Sequence, residues 1–94
     1  MNKNQNEAKK DLELAIEFSD QKYQKSPNDW RNTFNLALYY SAIASYKMSK
    51  QLYVDALRED VPTDLKNGAI EDLDNFIRLF PKNKHAQAMR KLFE

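Results

Sequence analysis

Along the chain the apolar positions recur at steps of three and four, the period of a helix that buries one face. In the first segment Ala8, Leu12, Ala15, Ile16, Ser19 and Tyr23 share a face, and Leu14 and Phe18 widen the stripe. Before it, residues 1 to about 6 read as a polar tail. Ser26-Pro27-Asn28-Asp29 then has the chemistry of a helix start. Ser26 can cap, Pro27 suits the first helical position because the N–H it lacks has no partner there, and Asp29 faces the positive end of the dipole. No stretch alternates apolar and polar residues between turn signals, so strands are not expected.

From Asn28 to Glu59 the chain has 32 residues without one Gly or Pro. As one helix this would measure about 48 Å. Two stripes run along it, one through Trp30, Phe34, Ala37, Ser41, Ala44, Met48 and Leu52, the other through Leu36, Tyr39, Ile43, Tyr46, Lys50, Tyr53 and Leu57. A segment apolar on two sides belongs between neighbours, which makes this the predicted long central helix. Polarity rises at residues 47–50, the one place where a break is weighed. Pro62 disfavours helical backbone at Val61, and Thr63 or Asp64 can cap a third helix carrying Leu65, Ala69, Ile70, Leu73, Phe76, Ile77 and Phe80 and stopping at Pro81. Gly68 costs about 1 kcal/mol relative to Ala and moves the expected start as late as Asn67. A last helix, Lys84 to Phe93, is capped by Asn83. The expectation is an all-α, four-helix bundle with a long central helix, one domain over residues 1–94.

Composition narrows the chemistry. The 94 residues include no Cys, one His (His85) and one Gly (Gly68), which removes disulfides, a Cys-based zinc site and a glycine-rich phosphate loop. No metal and no cofactor are expected. Glu13 with Glu17, and Glu71 with Asp74, share helix faces, but acids at that spacing are mostly solvated, and no enzyme activity is expected. Charged residues make up 31% with a net charge of +1, so the chain as a whole is not an electrostatic binder of nucleic acid or lipid. The start, MNKNQNEAKK, lacks the apolar core of a leader, and Leu36 to Tyr46 is about half of a bilayer span. No membrane span is expected. The expected location is cytoplasmic, or periplasmic if a leader has been removed.

Ala15 to Pro27 (AIEFSDQKYQKSP) and Ala69 to Pro81 (AIEDLDNFIRLFP) match at an offset of 54, with five of thirteen positions identical. Both resemble the second helix of a tetratricopeptide repeat, which places a small residue, a bulky one four later and a proline twelve after the small one. Ala69, Leu73 and Pro81 fit, as do Ala15 and Pro27, with Ser19 weak at the bulky position. Leu36, Ala37 and Tyr40 resemble the first helix of the repeat, with Thr33 at the tryptophan position and Trp30 one turn earlier. The C-terminal stretch, through Ile77, Phe80-Pro81, Ala86 and Met89, is similar to the repeats of lipoproteins that serve outer-membrane β-barrel assembly. Paired in this way, Tyr40 and Ala69 are 29 residues apart where the family has nine, so about twenty are extra. That implies a first helix of double length or an inserted helix. The turn between paired helices would fall near Ala44, where no turn residue stands.

The resemblance implies a non-catalytic adaptor or scaffold module that binds a partner protein or peptide in a helical groove. It places Arg31, Asn35 and Leu38 on the inner face, with Asn35 where an Asn often clamps a ligand backbone. Phe34 and Leu38 occupy two positions of the carboxylate clamp found in some members, so that clamp is not expected. From spacing alone, Tyr39, Tyr46 and Tyr53 form a ladder at seven-residue intervals. It suits peptide docking, a seam against a neighbouring helix, or self-association into a homo-oligomer. Arg78, Lys82, Lys84, Arg90 and Lys91 form a basic C-terminal patch. It offers nucleic acid as the alternative partner, although Arg78, Arg90 and Lys91 also suit the last turns of helices.

Overall fold

A computed structural model describes the chain from Lys3 to Glu94. Among the described residues there are five helices: α1 (Lys3–Lys25), α2 (Trp30–Ala42), α3 (Tyr46–Leu57), α4 (Thr63–Leu79) and α5 (Lys84–Lys91). The all-α class holds, whereas the four-helix bundle with a long central helix does not. Residues 3–6 of the expected tail belong to α1, and residues 1 and 2 lie outside the described chain.

The long helix fails at Ile43-Ala44-Ser45, ahead of the polar stretch at 47–50. Ala44 takes φ +63°, the left-handed conformation that usually calls for glycine. The Ser45 N–H donates to the Tyr40 carbonyl at 2.8 Å and the Ala44 N–H to the Ser41 carbonyl at 3.2 Å. This pair of bonds is the Schellman closure of a helix C-terminus, made here with alanine where glycine is the rule. Left-handed alanine costs about 1 kcal/mol relative to glycine, so Ala44→Gly should raise stability by about that amount. A urea melt followed by circular dichroism reads it, and a loss of stability would mean that the turn is not held this way.

The other boundaries follow local chemistry. Asp29, not Ser26, caps α2. Its carboxylate accepts from the Asn32 N–H at 3.3 Å and pairs with the Lys22 ammonium at 3.1 Å. The Lys22 hydrogen bond and the Asn32 N–H hold that carboxyl below the usual range. The α4 helix starts at Thr63, directly after Pro62 and ahead of Gly68, with Asp64 in its first turn at the positive end of the dipole. Asn83 caps α5 as expected, accepting from the Ala86 N–H at 3.0 Å.

With its central helix broken in two, the fold is an array of helices in which α2 is the hub. It packs against α1, α3 and α4, while α5 lies on α4 and touches α3. The core joins Phe34, Leu36, Ala37 and Tyr40 of α2 to Leu52, Tyr53 and Ala56 of α3, then through Val61 to Ala69, Leu73, Ala86 and Met89. The α1 helix leans Ile16 and Tyr23 against this core from outside. Close approach of α2 and α3 rests on small residues: Ala37, Ser41, Ser49 and Ala56 are each at most 1% exposed.

Candidate functional site

The candidate surface that gathers residues expected from the sequence is the cleft beside α2. Between α2 and α4 lies a cleft of about 310 Å³ lined by Arg31, Phe34 and Asn35 on one side and by Leu65, Gly68, Ala69 and three acids on the other. It runs into a second depression toward the α1–α2 turn, sharing Arg31, Asn35 and Leu65 and reaching Lys22 and Asp29. Two of the three residues expected on the inner face therefore stand together on one wall. The third, Leu38, is packed against the core.

The opposite wall was not foreseen. Asp64, Glu71 and Asp72 of α4 line the cleft together with Arg31 of α2. Burial, and then the neighbouring Glu71 charge, pushes the Asp72 carboxyl above its ordinary range. From the sequence Asp64 reads as a helix cap and Glu71 as a solvated acid, and nothing in the local pattern says that α4 turns this wall toward α2. Gly68 stands in the same wall, and a Cβ built on it would meet nothing within 4 Å. Its missing side chain thus leaves the cleft open rather than relieving a clash.

The tyrosine ladder does not exist as one surface. The break at Ala44 puts Tyr39 on α2 and Tyr46 and Tyr53 on α3, so the seven-residue interval no longer defines a single face. Tyr53 is 1% exposed and belongs to the core, 6.0 Å from the Phe34 ring and 5.9 Å from Phe93. Burial raises its phenol well above the usual range, and Asp72 adds to the shift. It cannot dock a partner. Tyr39 is half-buried. Tyr46 is 43% exposed and stacks on His85 with ring centroids 4.5 Å apart.

The C-terminal basic residues are spread over α4, the following turn and α5. Arg90 is held by Asp74, Nε to Oδ1 at 2.9 Å, which neutralises one of the five charges. Arg78, Lys82, Lys84 and Lys91 are exposed.

A buried polar chain escaped sequence reasoning. Ser41 Oγ and Ser49 Oγ are 2.7 Å apart across α2 and α3, and His85 Nε2 of α5 lies 3.0 Å from Ser49 Oγ. Ser41 Oγ also donates to the Ala37 carbonyl at 3.3 Å. The proton order that satisfies every member runs one way: His85 Nε2–H to Ser49, Ser49 to Ser41, Ser41 to Ala37. Burial, and secondarily Lys50, holds the imidazole below its usual range and so neutral at pH 7. A serine beside a histidine suggests a nucleophile and its base, but Ser49 is 0% exposed and here the histidine donates. The chain ties α5 to the α2–α3 hairpin. His85 and Ser49 are 36 residues apart, and no spacing in the sequence could have paired them.

Among the described residues there is no group of three or more His, Asp or Glu side chains placed to hold a metal ion. None of the described helices is long and apolar enough to cross a membrane. No family model, no curated protein and no solved structure matches the chain.

Proposed function

We propose that the protein is a non-catalytic, tetratricopeptide-like interaction module that takes a partner protein or peptide into the cleft between α2 and α4. The observation that carries this reading is the register of the α2–α3 hairpin. With the turn at Ala44, the residue nine after Tyr40 is Ser49, and the bulky residue four later is Tyr53. Thr33, Leu36, Ala37, Tyr40, Ser49 and Tyr53 then follow the repeat pattern, and all six are buried. The twenty extra residues disappear. Two departures remain: Pro62 comes thirteen residues after Ser49 rather than twelve, and α4, which follows the pair, carries the second-helix pattern of Ala69, Leu73 and Pro81.

The cleft runs along α2, the first helix of the pair, whose inner face holds ligands in such repeats; α4, which carries the second-helix residues Ala69 and Leu73, forms its other wall. Asn35 offers an amide that can both donate to and accept from an extended backbone. Arg31 and the carboxylates of α4 flank it with charges of both signs.

Affinity capture from the source extract tests the reading, with nuclease-treated and untreated halves washed at two salt concentrations. The bait is run as wild type, as Asn35→Ala and as Gly68→Leu. A stoichiometric protein band that survives nuclease is expected from the wild type, and both variants should weaken it by about tenfold or more. Gly68→Leu is informative because a Cβ at this position meets no atom within 4 Å, the side chain projects into the cleft, and helix propensity improves. An unchanged urea melt separates its loss of binding from unfolding. Capture by both variants at the wild-type level would remove the cleft from the mechanism. A signal sensitive to nuclease and salt would move the site to Lys82, Lys84 and Lys91.

A further inference from the structure

The outer face of α1 is built as a self-complementary seam. Glu7, Asp11, Leu14, Phe18, Gln21 and Lys25 fall at steps of four and three, the spacing of a two-helix interface. They lie opposite Ile16 and Tyr23, which face the core, and all six are exposed. Leu14 is 51% and Phe18 69% exposed, an apolar pair one turn apart on a helix that already has its buried side. The charges on the seam itself are sorted, acids toward the N-terminus and a lysine at the C-terminus, while Lys10, exposed on the flank one turn before Leu14, runs against the sorting.

We propose that this face pairs with the same face of a second copy of the chain, antiparallel, about a two-fold axis near residue 16. In that register Leu14 of one copy meets Phe18 of the other, Asp11 faces Gln21, and Glu7 faces Lys25. Each contact occurs twice. A parallel pair would set Glu7 on Glu7 and Lys25 on Lys25, and would align the two helix dipoles unfavourably. The sorting of charge therefore selects both the partner and its direction. Lys22, on one flank, is engaged by Asp29 of its own chain. Glu17, on the other flank near the axis, meets its own counterpart and works against the pair.

From Glu7 to Lys25 the seam is roughly 27 Å long. Two helices in contact over that length reach only the lower limit of specific interfaces, about 1,000 Å². The dimer accordingly forms at micromolar concentrations and above, and α1 remains exposed on the dilute monomer.

Sedimentation equilibrium of the full chain over a concentration series tests the proposal. The wild type should show a monomer–dimer equilibrium. Glu7→Lys and Lys25→Glu should each weaken it about tenfold, since a like-charge contact replaces an attractive one at two places. The double variant restores opposite charges in the same register and should return to within about threefold of the wild type. Phe18→Glu should leave only monomer. All three substitutions lie on solvent-facing positions of α1, so circular dichroism should be unchanged. A wild type that stays monomeric at millimolar concentration overturns the proposal. So does a dimer indifferent to Phe18→Glu, and so does a double variant no better than the single ones.

Discussion

Tyr53→Ala is expected to lower the stability of the domain by about 3–5 kcal/mol, whereas Tyr53→Phe should stay within about 1 kcal/mol of the wild type. The ring stands between Phe34 and Phe93 and links α3 to α2 and to the end of the chain. Truncation to a methyl removes that contact area and leaves a cavity the helices cannot close without moving. Removing the phenol leaves the ring packing against Phe34 and Phe93 as it is. A domain of this size has about 5–14 kcal/mol of stability in all, so the alanine variant should be partly unfolded at 37 °C. Tyr46→Ala provides the contrast. Its ring is half in solvent and touches His85 alone among the aromatic residues, and about 1 kcal/mol is expected. Urea denaturation followed at 222 nm measures all three. Equal losses for Tyr53→Ala and Tyr46→Ala would place Tyr53 outside the core and revive the ladder.

The contrast between these tyrosines also marks where sequence periodicity stops being informative. Helical spacing correctly located the core stripes of α2, α4 and α5, the end of α4 before Pro81, and the cap at Asn83. Each rests on contacts within a few residues. The long central helix failed because its break has no local signal. The left-handed residue is an alanine, whose cost is offset by the burial gained when α3 folds back onto α2. With the turn unseen, Tyr39 and Tyr53 share one predicted helix, whereas they stand on α2 and α3; packing against a neighbouring helix, one of the alternatives the spacing allows, is what Tyr53 does. The same omission hid Ser49 as the residue nine after Tyr40. On the candidate cleft, Arg31 and Asn35 are legible only through the resemblance to the repeat's first helix, which puts them on its inner face. The acidic wall is not, because only tertiary packing sets the rotation of α4 toward α2.

The second large effect is expected where that unforeseen hairpin closes. Ser49→Leu should cost about 3–5 kcal/mol, and Ser49→Ala about 1–2 kcal/mol. Ser49 is fully buried between α2 and α5, with Ser41 Oγ at 2.7 Å and His85 Nε2 at 3.0 Å. A leucine there needs space that Ala37 and Ser41 do not leave, so α3 must move away from α2 or the side chain must take a strained rotamer. It also deprives the His85 N–H of its acceptor, and a donor left unpaired under the packed helices costs about 1–3 kcal/mol. Alanine keeps the close approach and loses only the hydrogen bonds. The two substitutions therefore separate what the small side chain does from what the hydroxyl does. A second readout comes from the His85 imidazole, followed by NMR titration. In the alanine variant its ring stays stacked on Tyr46 but has no Ser49 partner, so its titration should shift while the fold persists. If Ser49→Leu proves as stable as Ser49→Ala, α2 and α3 are not in close contact at this point. The register that puts Ser49 and Tyr53 into the repeat pattern would fall with it, and with that register the case for reading the α2–α4 cleft as a ligand groove.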